Sequence, residues 1–126
     1  MAGGPTYYCW YCYQPNERAT GPCRVCGQPV QAPVDTTMTD LHLWALSHPL
    51  VGRRMLAVAA LGREHEQRAA APLTHLLNSG TDPYLAAAAL EALVQIRGLD
   101  ACRALLARLA TDASAPVRAT ARRLAR

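Results

Sequence analysis

A proline recurs along the chain at Pro49, Pro83 and Pro116, at intervals of 34 and 33 residues, and each proline opens an apolar stretch of similar composition. A further apolar stretch lies between successive copies, so that Leu76 and Leu109 are again 33 residues apart. A period of this length is typical of stacked two-helix units, each of which buries its apolar face against the next. Much of the apolar content is alanine, which favours closely packed helices.

Capping residues predict where the helices begin and end. Asp82 followed by Pro83 is an N-cap with proline at the first helical position, and Ser47 and Ser114 take similar places before the other two prolines. Helix ends are expected at three glycines, because glycine adopts the left-handed conformation without steric cost: Gly62, Gly80 and Gly98. The predicted helices cover residues 40–47, 50–62, 69–78, 83–97, 100–110 and 116–125.

Apolar positions at helical spacing predict which faces are buried. One stripe contains Val51, Met55, Val58 and Leu61. The helix after Pro83 has apolar residues on two sides, which is expected of an inner helix with neighbours on both sides. Its stripes are Leu85, Ala89, Leu93 and Ile96 on one side and Leu90 and Val94 on the other.

The helical part resembles HEAT repeats of the short bacterial type often called phycobilisome-lyase-like. The unit of that family reads roughly D-P-x-V-R-x-x-A-x-x-A-L-G. The best copy here carries Asp82-Pro83-Tyr84-Leu85, Ala89, Ala92 and Leu93. The last copy carries Pro116-Val117-Arg118 and Ala121, with the proline one place nearer, and the first is looser, with Pro49, Val51 and a displaced Ala60-Leu61-Gly62.

This resemblance implies an all-α fold, a short αα-solenoid of HEAT-like repeats over residues 39–126, in a protein of bacterial origin. Because repeat stacks offer long, fairly rigid surfaces with little chemistry of their own, we expect a protein–protein interaction adaptor or scaffold and no enzyme. The family name does not imply bilin lyase activity, which is a third and weaker alternative. No paired carboxylates, phosphate-binding glycine loop or nucleophile elbow occurs in the sequence.

Four cysteines near the N-terminus form two C-x-x-C pairs, Cys9 with Cys12 and Cys23 with Cys26, separated by ten residues. Two such turns can present four thiolates to one tetrahedral ion, and a closed four-thiolate site is structural because it leaves no open position for water. We therefore expect a structural Zn²⁺ in a zinc module at residues 1–29, joined by a linker at 30–38. Iron, two disulfides and free thiols are the alternatives.

The spacing of the cysteines, with Asn16 between the pairs, resembles the zinc finger of the Ran-binding-protein type, although short zinc ribbons reach similar spacings. Tyr7 stands where that family has tryptophan. Its ubiquitin-binding members carry Thr-Phe after the second cysteine, and this chain has Tyr13-Gln14, so that activity is not implied. Its RNA-binding members use arginines and an exposed tryptophan, for which Trp10, Arg18 and Arg24 could stand in. Self-covering of the module, or docking on the helices, is the other role for these aromatic residues.

The net charge of +4 arises at the C-terminal end, where six of the 13 arginines follow residue 100 and Asp112 is the only acid. Arg118, Arg122 and Arg126 form one stripe on the last helix. This stripe is either a solvated cap of the repeat stack or a docking face for an acidic protein or a phosphate backbone. Nucleic-acid binding through the finger and this basic end is the second function hypothesis.

The remaining candidates predict no chemistry. Cys102 is expected to be a small buried hydrophobe, and His42 and His75 are expected to be partly buried. The sequence contains no apolar run long enough to span a bilayer and no secretion signal, which predicts a cytoplasmic protein without a membrane partner. No small-molecule substrate is expected, and Trp44 is expected to close the edge of the stack and to seat the zinc module.

Overall fold

The computed structural model describes residues 4–32, 34–79 and 82–126, and over these residues it has the predicted all-α architecture behind a small cysteine module. The module contains a two-stranded antiparallel hairpin of β1 (Tyr7–Tyr8) and β2 (Pro15–Asn16). The helices are α1 (Met38–Ala45), α2 (Val51–Arg63), α3 (Ala70–Asn78), α4 (Pro83–Arg97), α5 (Leu99–Leu109) and α6 (Ala115–Leu124), with a short 3₁₀ helix at Gln67–Ala69. None of these described helices combines the length and apolarity that a membrane crossing requires.

The helices form two layers around α4. Helix α4 packs against α2 on one side and α6 on the other, while α1, α3 and α5 pack on α2, α4 and α6 as the other member of each pair. The predicted inner helix is therefore confirmed: Leu85, Leu90 and Leu93 are fully buried, and Val94 is half-buried. The alanines of α4 allow this burial on several sides, because their short side chains permit neighbouring backbones to approach closely.

The predicted cap is confirmed at α4, confirmed in position but without a side-chain bond at α6, and wrong at α2. Asp82 caps α4, since its Oδ1 accepts hydrogen bonds from the backbone N–H of Tyr84 at 2.8 Å and of Leu85 at 3.0 Å. Ser114 occupies the N-cap of α6 but makes no side-chain cap bond. Ser47 is not the cap of α2, because its hydroxyl donates to the carbonyl oxygen of Trp44 at the end of α1.

The predicted stop at Gly62 is also wrong, because α2 continues through it to Arg63. A Cβ at this position would lie 3.1 Å from the Cα of Ala92, so the glycine instead allows α2 to approach α4 closely. Gly98 ends α4 with φ of 88°, as predicted. The predicted stop at Gly80 lies outside the described residues.

The buried stripe of α2 begins one turn later than predicted. Val58 and Leu61 are buried and Met55 is half-buried, but Val51 is exposed. The first turn of α2 therefore presents its side chains outward, next to the cysteine module. The proposed boundaries at residues 29 and 38 stay predictions, although Val30 is buried with the cysteines and not extended in solvent.

Candidate metal centre

The four cysteine sulfurs converge on one point. All four Sγ atoms lie within 4.8 Å of one another, with Cys9 and Cys26 at 3.7 Å and Cys12 and Cys23 at 3.6 Å. A tetrahedron with Zn–S bonds of ~2.3 Å has edges of about 3.8 Å, whereas a disulfide would require about 2.05 Å. The cluster therefore has the dimensions of a four-thiolate metal site and not of two disulfides.

Each cysteine pair lies in the same kind of turn, and the two turns are related by a 14-residue repeat, C-x-x-C-x-Q-P. In the first knuckle, which we define as residues 9–15, the N–H of Tyr13 donates to the carbonyl oxygen of Cys9 at 3.0 Å. In the second knuckle, residues 23–29, Gly27 makes the equivalent bond to Cys23 at 3.1 Å. This repeat is visible in the sequence and would have predicted the pairing of the two turns.

Backbone N–H groups also point at the sulfurs. Tyr11 donates to the Sγ of Cys9 and Val25 donates to the Sγ of Cys23, both at 3.4 Å. Such bonds stabilise a thiolate and are made by the turn itself, whatever side chains the turn carries. Each knuckle therefore directs the same backbone donor at the sulfur of its first cysteine.

Asn16 joins the two knuckles from a buried position. Its Oδ1 accepts from the backbone N–H of Arg24 at 3.0 Å, and its Nδ2 donates to the carbonyl oxygen of Gln14 at 3.0 Å and to the Sγ of Cys23 at 3.5 Å. Asn16, whose position between the cysteine pairs matches the Ran-binding-protein type of finger, thus fixes the second knuckle relative to the first.

The thiols of the cluster are not equivalent. The pKa of Cys23 is lowered to about 6, mainly because the backbone N–H of Cys26 donates to its thiolate. Burial instead raises the pKa of Cys12. Four thiolates at these separations need a cation to balance their charge, and the donor set of four soft sulfurs fits Zn²⁺ or iron.

Two tryptophans connect the cysteine module to the helices. Trp10, between the first two cysteines, lies with its ring centroid 4.9 Å from that of Trp44 on α1. This contact matches the expected seating of the module by Trp44. Trp10 is half-buried in this position, with its Nε1 buried and without a hydrogen-bond partner.

Two tyrosines of the first knuckle extend the same junction. The Tyr11 hydroxyl donates to the Oγ of Ser47 at 2.6 Å, since the proton of Ser47 is already directed at Trp44. The ring of Tyr13 meets the imidazole of His48 at 4.7 Å and lies under the guanidinium of Arg53 at 4.4 Å. Sequence reasoning missed His48 and Arg53, because no local pattern links residues so far apart in the chain.

The arginines predicted as partner-binding residues lie in two separate places. Arg18 and Arg24 border an open groove beside the β1–β2 hairpin, and the Nε of Arg24 donates to the carbonyl oxygen of Pro15 at 2.7 Å. On α6, Arg118 and Arg122 donate to the carbonyl oxygens of Asp112 and Ala110, at 2.8 Å and 2.9 Å. These last bonds satisfy carbonyl groups at and beyond the end of α5, and Arg126 is exposed. A partner-binding role for these residues stays a prediction.

Other titratable residues have structural surroundings. Cys102 is a buried hydrophobe as predicted, and burial raises its pKa. His42 is half-buried, as predicted, and pairs with Glu64 at 3.2 Å, but the prediction for His75 is wrong because it is exposed. Among the described residues, the four cysteines are the one group of metal-ligating side chains placed to share an ion.

Comparison with known proteins identifies the helical part. A family model described as HEAT repeats matches residues 39–125, which includes nearly all of the six helices. No curated protein and no solved structure matches the chain significantly. The match is to HEAT repeats in general, so the short bacterial subtype and the type of zinc finger stay predictions. The two-layer helical stack and this match agree, and the chain belongs to the HEAT-repeat family.

Proposed function

We propose that the protein is a non-enzymatic adaptor for protein–protein interaction whose N-terminal module holds a structural zinc ion. HEAT repeats are generally protein-interaction scaffolds. The observation that carries the proposal is the docking of Trp10, Tyr11 and Tyr13, which lie in or next to the first cysteine pair. They contact α1, the turn that follows it and the start of α2. A metal at the cysteines would therefore shape the first unit of the scaffold instead of reacting with a substrate.

The proposal of zinc rests on the four thiolate ligands. A site closed by four thiolates leaves no position for water or substrate, which is the coordination of structural zinc, and rubredoxin-like iron is the competing occupant. The interactions of Asn16 support the Ran-binding-protein type of finger over an unrelated zinc ribbon. Elemental analysis of freshly purified protein should give one zinc per chain. Iron in place of zinc would change the identity of the metal but leave the proposed scaffold role unaffected.

The adaptor role is tested by cross-linking in extracts of the organism that encodes the protein. We expect the metal-loaded protein to cross-link reproducibly to one or a few proteins at defined positions on its helices. Protein that has been denatured before cross-linking serves as the control for non-specific capture by unfolded chains. Recovery of the same proteins at equal yield with both forms, or of nucleic acid alone, would contradict the adaptor role.

Nucleic-acid binding is the second candidate, and a specific observation favours it. Arg18 and Arg24 line an open groove together with the hydroxyl-bearing Thr6 and Thr20, and α6 adds further arginines. Affinity from phosphate contacts falls steeply as salt is raised, in proportion to the phosphates neutralised. A gel shift with single-stranded RNA at low salt that disappears with Arg18→Ala would support this function. No shift at low salt would exclude it.

A further inference from the structure

A cleft lies between the first knuckle and the first two helices. It has a volume of about 400 Å³, and its walls include Trp10, Tyr11 and Tyr13 on one side and Met38, Arg53 and Leu56 on the other. Clefts of this size, mostly apolar with a few polar groups, are typical binding sites. None of the described residues that line it is a carboxylate.

Helix α2 begins at this cleft with cations and without an acidic residue. The positive end of a helix dipole favours acidic residues, as at Asp40 in α1 and Asp82 before α4. The first turn of α2 has no acid and no side-chain cap, and Arg53 and Arg54 follow directly. Two cations at a helix N-terminus lower the stability of the helix, and an anion bound beside them would offset that loss.

Buried donors without acceptors occur in the lining of the cleft, at His48 and Trp10, and in the first turns of α2, at Arg54. The Nδ1 of His48 accepts from the backbone N–H of Leu50 at 3.0 Å, so the neutral ring carries its proton on Nε2. That Nε2, the Nε of Arg54 and the Nε1 of Trp10 are all buried and have no hydrogen-bond partner in the described structure. Burial, together with the charges of Arg53 and Arg54, lowers the pKa of His48 and favours the neutral ring.

Apolar side chains are exposed beside these cationic groups. Met38 is 65% exposed and Leu56 is 63% exposed, and both line the cleft. Leu50 and Val51, in the turn that opens α2, are exposed as well. Large apolar side chains clustered on a surface and bordered by charge mark a site for another protein.

We infer that this cleft binds a short acidic segment of a partner protein that also carries a bulky apolar side chain. A carboxylate of the segment would face Arg53 and the N-terminal turn of α2, and the apolar side chain would cover Met38 and Leu56. The inference rests on the proposed adaptor function and deepens it by naming the surface and the chemistry of the partner.

Peptide fits this surface better than nucleic acid does. The aromatic faces on which a base would stack are already engaged, since Trp10 lies against Trp44 and Tyr13 lies under Arg53. What remains accessible is aliphatic, and aliphatic side chains match those of a peptide better than a hydrated phosphate backbone.

The test is selection of a displayed library of random dodecapeptides on the immobilised metal-loaded protein. We expect enrichment of sequences in which aspartate or glutamate adjoins a large apolar residue. Binding of the synthesised peptides can be followed by intrinsic fluorescence, because both tryptophans of the chain, Trp10 and Trp44, lie at this junction. Arg53→Glu should weaken binding by about tenfold or more, since it replaces attraction by repulsion.

Two further variants keep the result interpretable. Arg97→Glu makes the same charge change at an exposed residue that does not line the cleft, and it should leave affinity unchanged. Leu56→Asp removes the apolar contact and should also weaken binding, which covers the case in which Arg53→Glu disturbs the packing of Tyr13. Selected peptides that lack acidic residues, or that bind all three variants equally, would overturn the inference.

The outcomes also separate this inference from the proposed function. Peptides whose binding resists Arg53→Glu and Leu56→Asp but is lost with Arg122→Glu would leave the adaptor role in place on another surface. No enrichment of any peptide would count against both the acidic-peptide inference and the adaptor function. A single-stranded RNA that binds and is lost with Arg53→Glu, where no peptide binds, would overturn the inference in favour of nucleic acid.

Discussion

The residue after each C-x-x-C pair, Tyr13 or Gly27, has a positive φ, of 65° and 79° respectively. Glycine adopts this conformation freely, whereas a residue with a side chain loses about 1–2 kcal/mol. Tyr13 has this unfavourable conformation at a position where its ring contacts His48 and Arg53. The same turn thus has a relaxed form in the second knuckle and a strained form where the chain docks on the helices.

Gly27→Ala tests the backbone requirement alone. A Cβ at Gly27 would meet nothing within 4 Å, so the left-handed conformation is the sole cost, and we expect zinc binding to weaken by about 1–2 kcal/mol. A competition titration with a chromophoric chelator measures this change. Gly52→Ala is the matched control, because a Cβ at Gly52 would be equally unobstructed. Gly52 lies within the exposed first turn of α2, where alanine should stabilise the helix by up to ~1 kcal/mol. Equal effects of the two substitutions would contradict this reasoning.

Leu93→Ala tests the core. Leu93 is 1% exposed in the central helix, so we expect the substitution to lower the free energy of unfolding, measured in urea, by about 2–5 kcal/mol. Leu56→Ala makes the same chemical change at an exposed leucine and should cost within about 0.5 kcal/mol. If both variants unfold at the same denaturant concentration, the assignment of α4 as the inner helix is wrong.

Among the elements, the helices followed closely from the sequence and the junctions did not. The predicted range of 83–97 equals α4, and the other predicted bounds differ from the structure by at most two residues. Alanine-rich stretches punctuated by proline and glycine have few alternatives, which explains this agreement. Thr37 and Asp40 form a capping box that was overlooked, and it moves the start of α1 to Met38.

Contacts between distant residues could not be predicted in this way. The four candidate metal ligands follow from their spacing, because cysteine pairs in a turn are defined locally. The contacts of Tyr11 with Ser47 and of Tyr13 with His48 depend on how the module is oriented on α1 and α2, and a local pattern does not contain that information. For the same reason, the cleft beside Arg53 was not foreseen.

At the level of one helix, Asp82→Ala should remove the cap of α4. The carboxylate accepts from two backbone N–H groups, which would otherwise lack an intrahelical partner. We expect a loss of about 0.5–2 kcal/mol in the free energy of unfolding, measured by thermal denaturation. Asp82→Ser should keep most of the stability, since serine also caps. A serine variant as unstable as the alanine variant would show that the charge matters and not the cap.

For the whole molecule, we expect a metal at the cysteines to hold one part, whereas apolar packing holds the other. The module has a small core of Cys9, Cys12, Cys23 and Val30, whereas the helices share one large cluster. A module with so little apolar burial is expected to depend on metal binding to fold. The helical stack has no such dependence, because its core is formed by its own helices.

Cys12→Ser should therefore release the metal and disorder residues 5–28 while most of the helix content remains. Tryptophan emission should shift to longer wavelength, because Trp10 and Trp44 lose their contact and become hydrated. Circular dichroism and fluorescence of the variant, compared with chelator-treated wild type, measure both effects. Complete loss of helix on chelation would contradict the independence of the stack.

The knuckles also determine how freely their surfaces can diverge in evolution. Inside each cysteine pair, the hydrogen bonds to sulfur come from the main chain. The side chains at the two positions between the cysteines are therefore not needed to arrange the sulfurs. The first pair encloses Trp10 and Tyr11, and the second pair encloses Arg24 and Val25, which are both exposed. Mutation at these positions can alter what each knuckle touches while leaving coordination intact, so new contacts can be sampled without forfeiting the fold.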